Sequence, residues 1–207
     1  MKPRKRGDTI HRPPQPNKNS FKIRLDRALT PLTRPLHSCG VGPNWITLVG
    51  VLAILMVPVE LLREKWVPAG LWLLGAGFFD VLDGALARRL GVTRPFGAFW
   101  DSTLDRVSEA IVFGGLLFYY FQRQNPEGLL LSFGACILSL LVSYTRARAE
   151  GLGIECEVGV LPRPGRVLVL ALGFVTARPL PALAVVAGLS LVTVAQRVHL
   201  VWRKTGR

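Results

Sequence analysis

Residues 79–109 read FDVLDGALARRLGVTRPFGAFWDSTLDRVSE, and this stretch places four aspartates at helical spacing inside an otherwise apolar sequence. An ionised carboxylate at membrane depth is costly unless a partner compensates its charge, so acidic residues in such surroundings indicate a functional site. The four are Asp80, Asp83, Asp101 and Asp105. Four carboxylates that come together require cations.

The composition of the whole chain favours a membrane domain. Of the 207 residues, 50% are hydrophobic, and the formal net charge is +13. A chain this basic attracts either nucleic acid or the anionic surface of a bilayer. The long apolar runs favour the bilayer, so we expect membrane lipids and no nucleic acid as partners. The 3 cysteines are widely spaced and indicate neither a zinc site nor a disulfide framework.

The apolar runs predict an all-α integral membrane fold with six transmembrane helices. About 20 residues are needed to cross a bilayer core of roughly 30 Å. The second and third spans reach this length only if they include the acidic stretch. The expected spans cover about residues 44–62, 66–89, 97–122, 128–149, 163–177 and 180–202.

The N-terminal region differs from the spans. Residues 1–20 are basic and proline-rich, and they predict a disordered cytoplasmic tail. Residues 21–38 mix apolar and basic side chains, which predicts an amphipathic juxtamembrane helix at the start of a membrane domain over residues 21–207. The expected topology places 22 of the 26 Lys and Arg residues on one side. The positive-inside rule therefore predicts that both termini and the acidic stretch are cytoplasmic.

The spacing within the acidic stretch predicts a metal site. On a helix, Asp80, Asp83 and Arg88 share one face, and Asp101 and Asp105 share a face of the next helix. If the two helices are antiparallel, the four carboxylates converge. Ligand sets made only of oxygen suit Mg²⁺ or Mn²⁺, and two such ions about 4 Å apart are the usual arrangement for displacement at phosphorus.

This stretch resembles the signature of the membrane-embedded CDP-alcohol phosphotransferases. The predicted spans and surface helix are also similar to that family, so the resemblance covers nearly the whole chain from about Phe21. The resemblance implies transfer of a phosphatidyl group from a CDP-linked lipid to an alcohol, with release of CMP. The matching positions are Asp80-x2-Asp83-Gly84-x2-Ala87-Arg88-x8-Gly97-x3-Asp101-x3-Asp105.

The resemblance also implies a role for each matched residue. Asp80, Asp83 and Asp101 would hold two Mg²⁺ or Mn²⁺ ions on the diphosphate of the lipid. Asp105 would lie at the same ions and act as the general base on the acceptor hydroxyl. The family further suggests a homodimer. Residues bordering the nucleotide would be Gly84, Ala87, Arg88, Gly97 and, at the start of the first span, Asn44 and Thr47.

Arginines in the later spans indicate the acceptor. Their pattern resembles that of the subgroup that transfers the phosphatidyl group to inositol phosphate. The forked guanidinium of arginine also suits a phosphate dianion. A polyol phosphate is therefore expected, with inositol phosphate first and glycerol 3-phosphate as the alternative. The predicted acceptor-binding residues are Arg146, Arg148, Arg166 and Arg197, with Arg163 as a weaker candidate.

Two other functions compete with the transferase. A membrane prenyltransferase also uses Asp-rich helices and Mg²⁺, but such chains are longer and lack the Asp-Gly-x2-Ala-Arg element. A cation transporter would use the four acids as a pore site. For Arg146 and Arg148, the positive-inside rule alone explains a cytoplasmic position. Release of CMP from CDP-diacylglycerol distinguishes the transferase from the transporter.

Overall fold

In a computed structural model of the chain, the described residues are 29–35, 43–89 and 95–206, and within these ranges every regular element is a helix. The predicted all-α class is confirmed. The predicted tail and most of the predicted surface helix lie outside these ranges. The helices are α1 (residues 29–35), α2 (Pro43–Leu62), α3 (Trp66–Arg89), α4 (Pro95–Gln122), α5 (Pro126–Gly151), α6 (Arg163–Val175) and α7 (Pro179–Thr205).

The outer surface of the bundle is apolar. Leu71, Leu130 and Leu191 are 59%, 70% and 57% exposed, as expected for side chains that face lipid. Helix α4 carries Asp101, Asp105 and Arg106 in its first half, and α6 has 13 residues, so the number of six spans stays a prediction. The integral membrane character is confirmed by four helices that are long and apolar enough to cross a membrane, with spans at Trp45–Leu62, Trp66–Arg88, Pro126–Gly151 and Pro179–Thr205.

Helices α2 to α7 close into a ring. Each helix packs against two neighbours, in the order α3, α2, α4, α5, α7, α6 and back to α3. Buried side chains such as Val57, Phe113 and Phe174 fill the interior of the bundle in the half away from the acidic stretch. Over the described residues, no Cα atom of α3 comes within 8 Å of one in α4. A space therefore remains between α2, α3, α4 and α6.

Two glycines help to determine which helices become neighbours. A Cβ atom at Gly115 would lie 2.6 Å from the Cβ of Pro58, so α4 approaches α2 closely only because residue 115 has no side chain. A Cβ atom at Gly70 would lie 2.7 Å from the Cγ2 of Val175, where α3 meets α6. These close approaches make α2 a neighbour of α4 and α6 a neighbour of α3.

Three tight turns close one end of the ring. They join α2 to α3, α4 to α5 and α6 to α7, and each contains a non-glycine residue with positive φ: Glu64 (60°), Gln124 (51°) and Ala177 (52°). In the third turn, the Arg178 N–H donates to the Gly173 carbonyl at 2.7 Å. The other two turns repeat this bond, which is the Schellman pattern of helix C-termini. The acidic stretch lies at the opposite end.

We expect Ala177→Gly to stabilise the protein by about 0.5–1 kcal/mol, because alanine pays a steric cost in the left-handed region that glycine does not. The thermal unfolding midpoint in detergent measures the change. Ala184→Gly is the matched control, since Ala184 is exposed inside α7 and glycine in a helix interior costs about 1 kcal/mol. A fall in both midpoints would contradict the expected benefit at residue 177.

Candidate active site

Three of the four aspartates meet at the open end of the ring. One carboxylate oxygen from each of Asp80, Asp101 and Asp105 lies within 4.8 Å of the others. Asp80 comes from α3, and the other two come from successive turns of α4. Three convergent carboxylate oxygens are a suitable ligand set for a hard divalent cation. This carboxylate cluster can therefore hold a metal ion.

Asp83 lies beside this cluster and faces α2. Its side chain is buried and accepts a hydrogen bond from the Thr47 hydroxyl, with 2.6 Å between Oγ1 and Oδ2. Both residues line the same cavity as the other aspartates. The fourth predicted metal ligand is thus near the cluster, and its orientation is set by a residue of α2.

A cavity of about 380 Å³ extends from the carboxylates into the bundle. Helices α2, α3, α4 and α6 contribute its walls. The charged residues lie at one end, and the remaining wall is mainly apolar, with Leu73, Phe78, Val112 and Leu170 among its residues. This arrangement suits a ligand that has a charged group joined to an apolar body.

Two arginines contact the carboxylate cluster. Arg163, the first residue of α6, places Nη1 2.6 Å from Oδ2 of Asp80 and Nη2 2.7 Å from Oδ1 of Asp105. Arg106 Nη2 lies 3.2 Å from the other oxygen of Asp105, and its Nε lies 4.0 Å from Oε2 of Glu109. Arg163 was predicted as a weaker acceptor candidate, and its contacts are with the acids.

A buried ion pair continues this series of charges. Glu109 Oε1 accepts from Arg166 Nη2 at 2.6 Å and from Arg166 Nε at 3.2 Å, and both side chains are buried. Arg106 and Glu109 were not among the residues predicted from the sequence. The signal for Glu109 was available, because it continues the four-residue spacing of Asp101 and Asp105 along one face of α4.

The predicted acceptor residue Arg197 has backbone partners. Its guanidinium is buried and donates from Nε to the Val158 carbonyl at 2.9 Å and from Nη1 to the Val142 carbonyl. These bonds tie α7 to α5 and to the segment before α6. Arg197 therefore stabilises the packing around the site in this structure.

The other predicted acceptor residues divide between the cavity and the surface. Arg166 lines the cavity. Arg146 is exposed and pairs with Glu150 at 2.9 Å, and Arg148 is exposed. The structure thus brings one of the four predicted acceptor arginines, Arg166, to the cavity together with Arg163.

Of the residues predicted to border the nucleotide, Thr47 lines the cavity, whereas Gly84, Ala87, Arg88 and Gly97 lie toward the facing ends of α3 and α4, outside the cavity wall. Gly84 is half-buried, and a Cβ atom there would lie 3.2 Å from Nη1 of Arg88. Gly97, in the first turn of α4, has open space on the side where a Cβ would project. Ala87 is half-buried, and Asn44 belongs to the first turn of α2 with its side chain outside the described part of the structure.

Comparison with known proteins adds family information to this geometry. Residues 41–201 match the CDP-alcohol phosphatidyltransferase family. The chain is 34% identical over 192 residues to archaetidylinositol phosphate synthase of Methanothermobacter thermautotrophicus, covering 90% of this chain and 94% of that protein.

Two solved structures of one enzyme also match the fold. The crystal structure of Mycobacterium tuberculosis phosphatidylinositol phosphate synthase with CDP-DAG bound has a TM-score of 0.76 and 30% identity, covering 85% of this chain and 94% of that chain. The same enzyme in complex with manganese and citrate matches with a TM-score of 0.76 and 30% identity, covering 84% of this chain and 88% of that chain.

Proposed function

Because this chain belongs to the CDP-alcohol phosphatidyltransferase family, we propose that it transfers a phosphatidyl group from CDP-diacylglycerol to inositol phosphate and releases CMP. The family match confirms the prediction of a membrane transferase. The names of the archaeal and mycobacterial relatives support an inositol phosphate acceptor over glycerol 3-phosphate. The lipid bound in the mycobacterial structure supports the choice of donor.

One observation carries this proposal: the carboxylate cluster lies at the charged end of a cavity whose remaining wall is mainly apolar. CDP-diacylglycerol has a diphosphate between a polar nucleoside and two apolar chains. Its charged centre and its apolar part therefore match the two parts of the cavity. A soluble nucleotide would leave the apolar wall without a partner.

The proposed metal ligands are Asp80, Asp101 and Asp105, with Asp83 as a further ligand. The all-oxygen donor set fits Mg²⁺ or Mn²⁺, and the manganese complex of the mycobacterial enzyme supports this choice. When bound, two such ions stabilise negative charge at phosphorus and on the leaving group. The Thr47 hydroxyl keeps the carboxylate of Asp83 in place through its 2.6 Å hydrogen bond.

Residues of the chain are proposed to take the proton from the acceptor hydroxyl and to bind the acceptor phosphate. Asp105 is the proposed general base for the acceptor hydroxyl. Its Oδ2 atom lies 3.2 Å from Nη2 of Arg106. Arg166 is proposed to bind the acceptor phosphate, in an orientation set by Glu109. Further proposed contacts are Arg146, Arg148 and Arg197 for the acceptor, and Gly84, Ala87, Arg88, Gly97, Asn44 and Thr47 for the nucleotide.

We also propose that the site faces the cytoplasm. In the described ranges, the end closed by the three tight turns carries only Arg63, Lys65, Arg123 and Arg178 as basic residues. The remaining described Lys and Arg residues lie toward the end that contains the carboxylates, which the positive-inside rule assigns to the cytoplasm. A homodimer is proposed on the family resemblance.

An acceptor panel tests the proposed reaction. Purified protein is incubated with Mn²⁺ and radiolabelled CDP-diacylglycerol, and inositol 1-phosphate, glycerol 3-phosphate, free inositol or serine is added separately. We expect labelled lipid product and CMP only with inositol 1-phosphate, and no product with EDTA. Product formed only with glycerol 3-phosphate would identify glycerol 3-phosphate as the acceptor and contradict the assignment of inositol phosphate. Absence of CMP release with all four would contradict the transferase assignment.

A further inference from the structure

The guanidinium of Arg163 bridges two carboxylates that belong to different helices. Its Nη1 and Nη2 atoms lie 2.6 Å and 2.7 Å from oxygens of Asp80 on α3 and Asp105 on α4. Both acids are members of the carboxylate cluster. Arg163 therefore compensates the negative charge of the cluster, as a bound cation would.

The carboxylates are the partners that position this guanidinium. The remaining nitrogen, Nε, is buried and has no hydrogen-bond partner. Of the other two arginines near the site, Arg166 is held by Glu109, and Arg106 contacts a single member of the cluster, Asp105, which is its neighbour on α4. Among these three arginines, Arg163 is thus the one that bridges two members of the cluster from different helices.

A divalent ion ligated by Asp80 and Asp105 approaches carboxylate oxygens to about 2.0–2.2 Å. Positive charges at such short range repel one another strongly in a partly buried site. We propose that Arg163 is a built-in counter-cation, which competes with divalent ions for the carboxylate cluster and is displaced when they bind. This inference rests on the proposed function only in taking the cluster as the metal site.

The affinity for Mn²⁺ tests the competition without any turnover. Protein stripped with EDTA and then dialysed is titrated with Mn²⁺ in detergent, and free Mn²⁺ is followed by electron paramagnetic resonance. Arg163→Gln removes the charge and keeps a polar side chain, so we expect about tenfold tighter Mn²⁺ binding. Arg163→Lys keeps the charge, and its affinity should stay within about threefold of the wild type.

Arg123→Gln is the matched control, because it removes the same charge at the opposite end of the ring, where Arg123 pairs with Glu64. Its Mn²⁺ affinity should equal that of the wild type. Equal or weaker Mn²⁺ binding by Arg163→Gln would overturn the proposal, because an arginine that only supports the structure would loosen the cluster when removed.

A second measurement covers the case in which Arg163→Gln does not fold. Side-chain ¹⁵N spectra of arginine-labelled wild type, with the signal assigned through Arg163→Lys, should show the Arg163 resonance move on addition of Mg²⁺. An unmoved resonance at saturating Mg²⁺ would overturn the proposal. Both readouts are independent of CMP release, so a failed acceptor panel rejects the proposed function without deciding this competition.

Discussion

Replacing Asp105 by asparagine is expected to lower the rate of CMP release by about 10³-fold or more. Asparagine has nearly the same shape but cannot accept a proton at neutral pH, and loss of a general base alone costs about 10²–10⁴-fold. The substitution also removes one of the three clustered carboxylates. The rate is measured at saturating CDP-diacylglycerol and inositol 1-phosphate with Mn²⁺.

Binding measurements separate the loss of the base from a loss of the site. Asp80 and Asp101 remain in Asp105→Asn, so we expect its affinity for CDP-diacylglycerol to stay within a few-fold of the wild type. Glu127→Gln is the control, because Glu127 is exposed in the first turn of α5 at the other end. If Asp105→Asn kept more than a tenth of the wild-type rate, Asp105 could not be the base.

Glu109→Leu is expected to destabilise the protein by about 3–5 kcal/mol. Glu109 is the carboxylate partner of the buried Arg166 guanidinium, and removal of one partner leaves the other charge buried and uncompensated. At about 2–4 °C per kcal/mol for a chain of this size, the thermal midpoint should fall by roughly 10 °C. Thermal unfolding in detergent measures this change.

A double variant and a surface pair complete this experiment. In Glu109→Leu with Arg166→Leu, both charges are gone, so most of the lost stability should return. Glu150→Leu breaks an exposed pair with Arg146, and its effect should stay within about 1 kcal/mol. A midpoint for Glu109→Leu equal to that of Glu150→Leu would show that the buried pair contributes little.

The helical class was predictable because long apolar runs separated by short polar turns leave few alternatives to helices. The proximity of Asp80 to Asp101 and Asp105 also follows from local information, since helical spacing and one short connection place them face to face. Such patterns report on neighbours within one helix or across one turn. They do not report on which later helix completes the site.

The position of Arg163 depends on that missing information. Helix α6 packs between α3 and α7, and this brings the first residue of α6 to the carboxylates of two earlier helices. In the same way, α2 packs against α3 and directs Thr47 toward Asp83. Sequence spacing could not distinguish an arginine that contacts the cluster from Arg146, which lies exposed at the end of α5.

The separation of α3 and α4 gives the carboxylate cluster a mechanical meaning. Within the described residues, α3 and α4 do not pack against each other, yet their aspartates meet across the ring. The Arg163 guanidinium joins the aspartates and so links α3 to α4 across the open end of the ring. The opposite end is held together by three turns with the same hydrogen-bond pattern. If divalent ions replace Arg163 at the cluster, as proposed, the link between α3 and α4 changes, and the rigidity of the cavity walls is expected to change with cation occupancy.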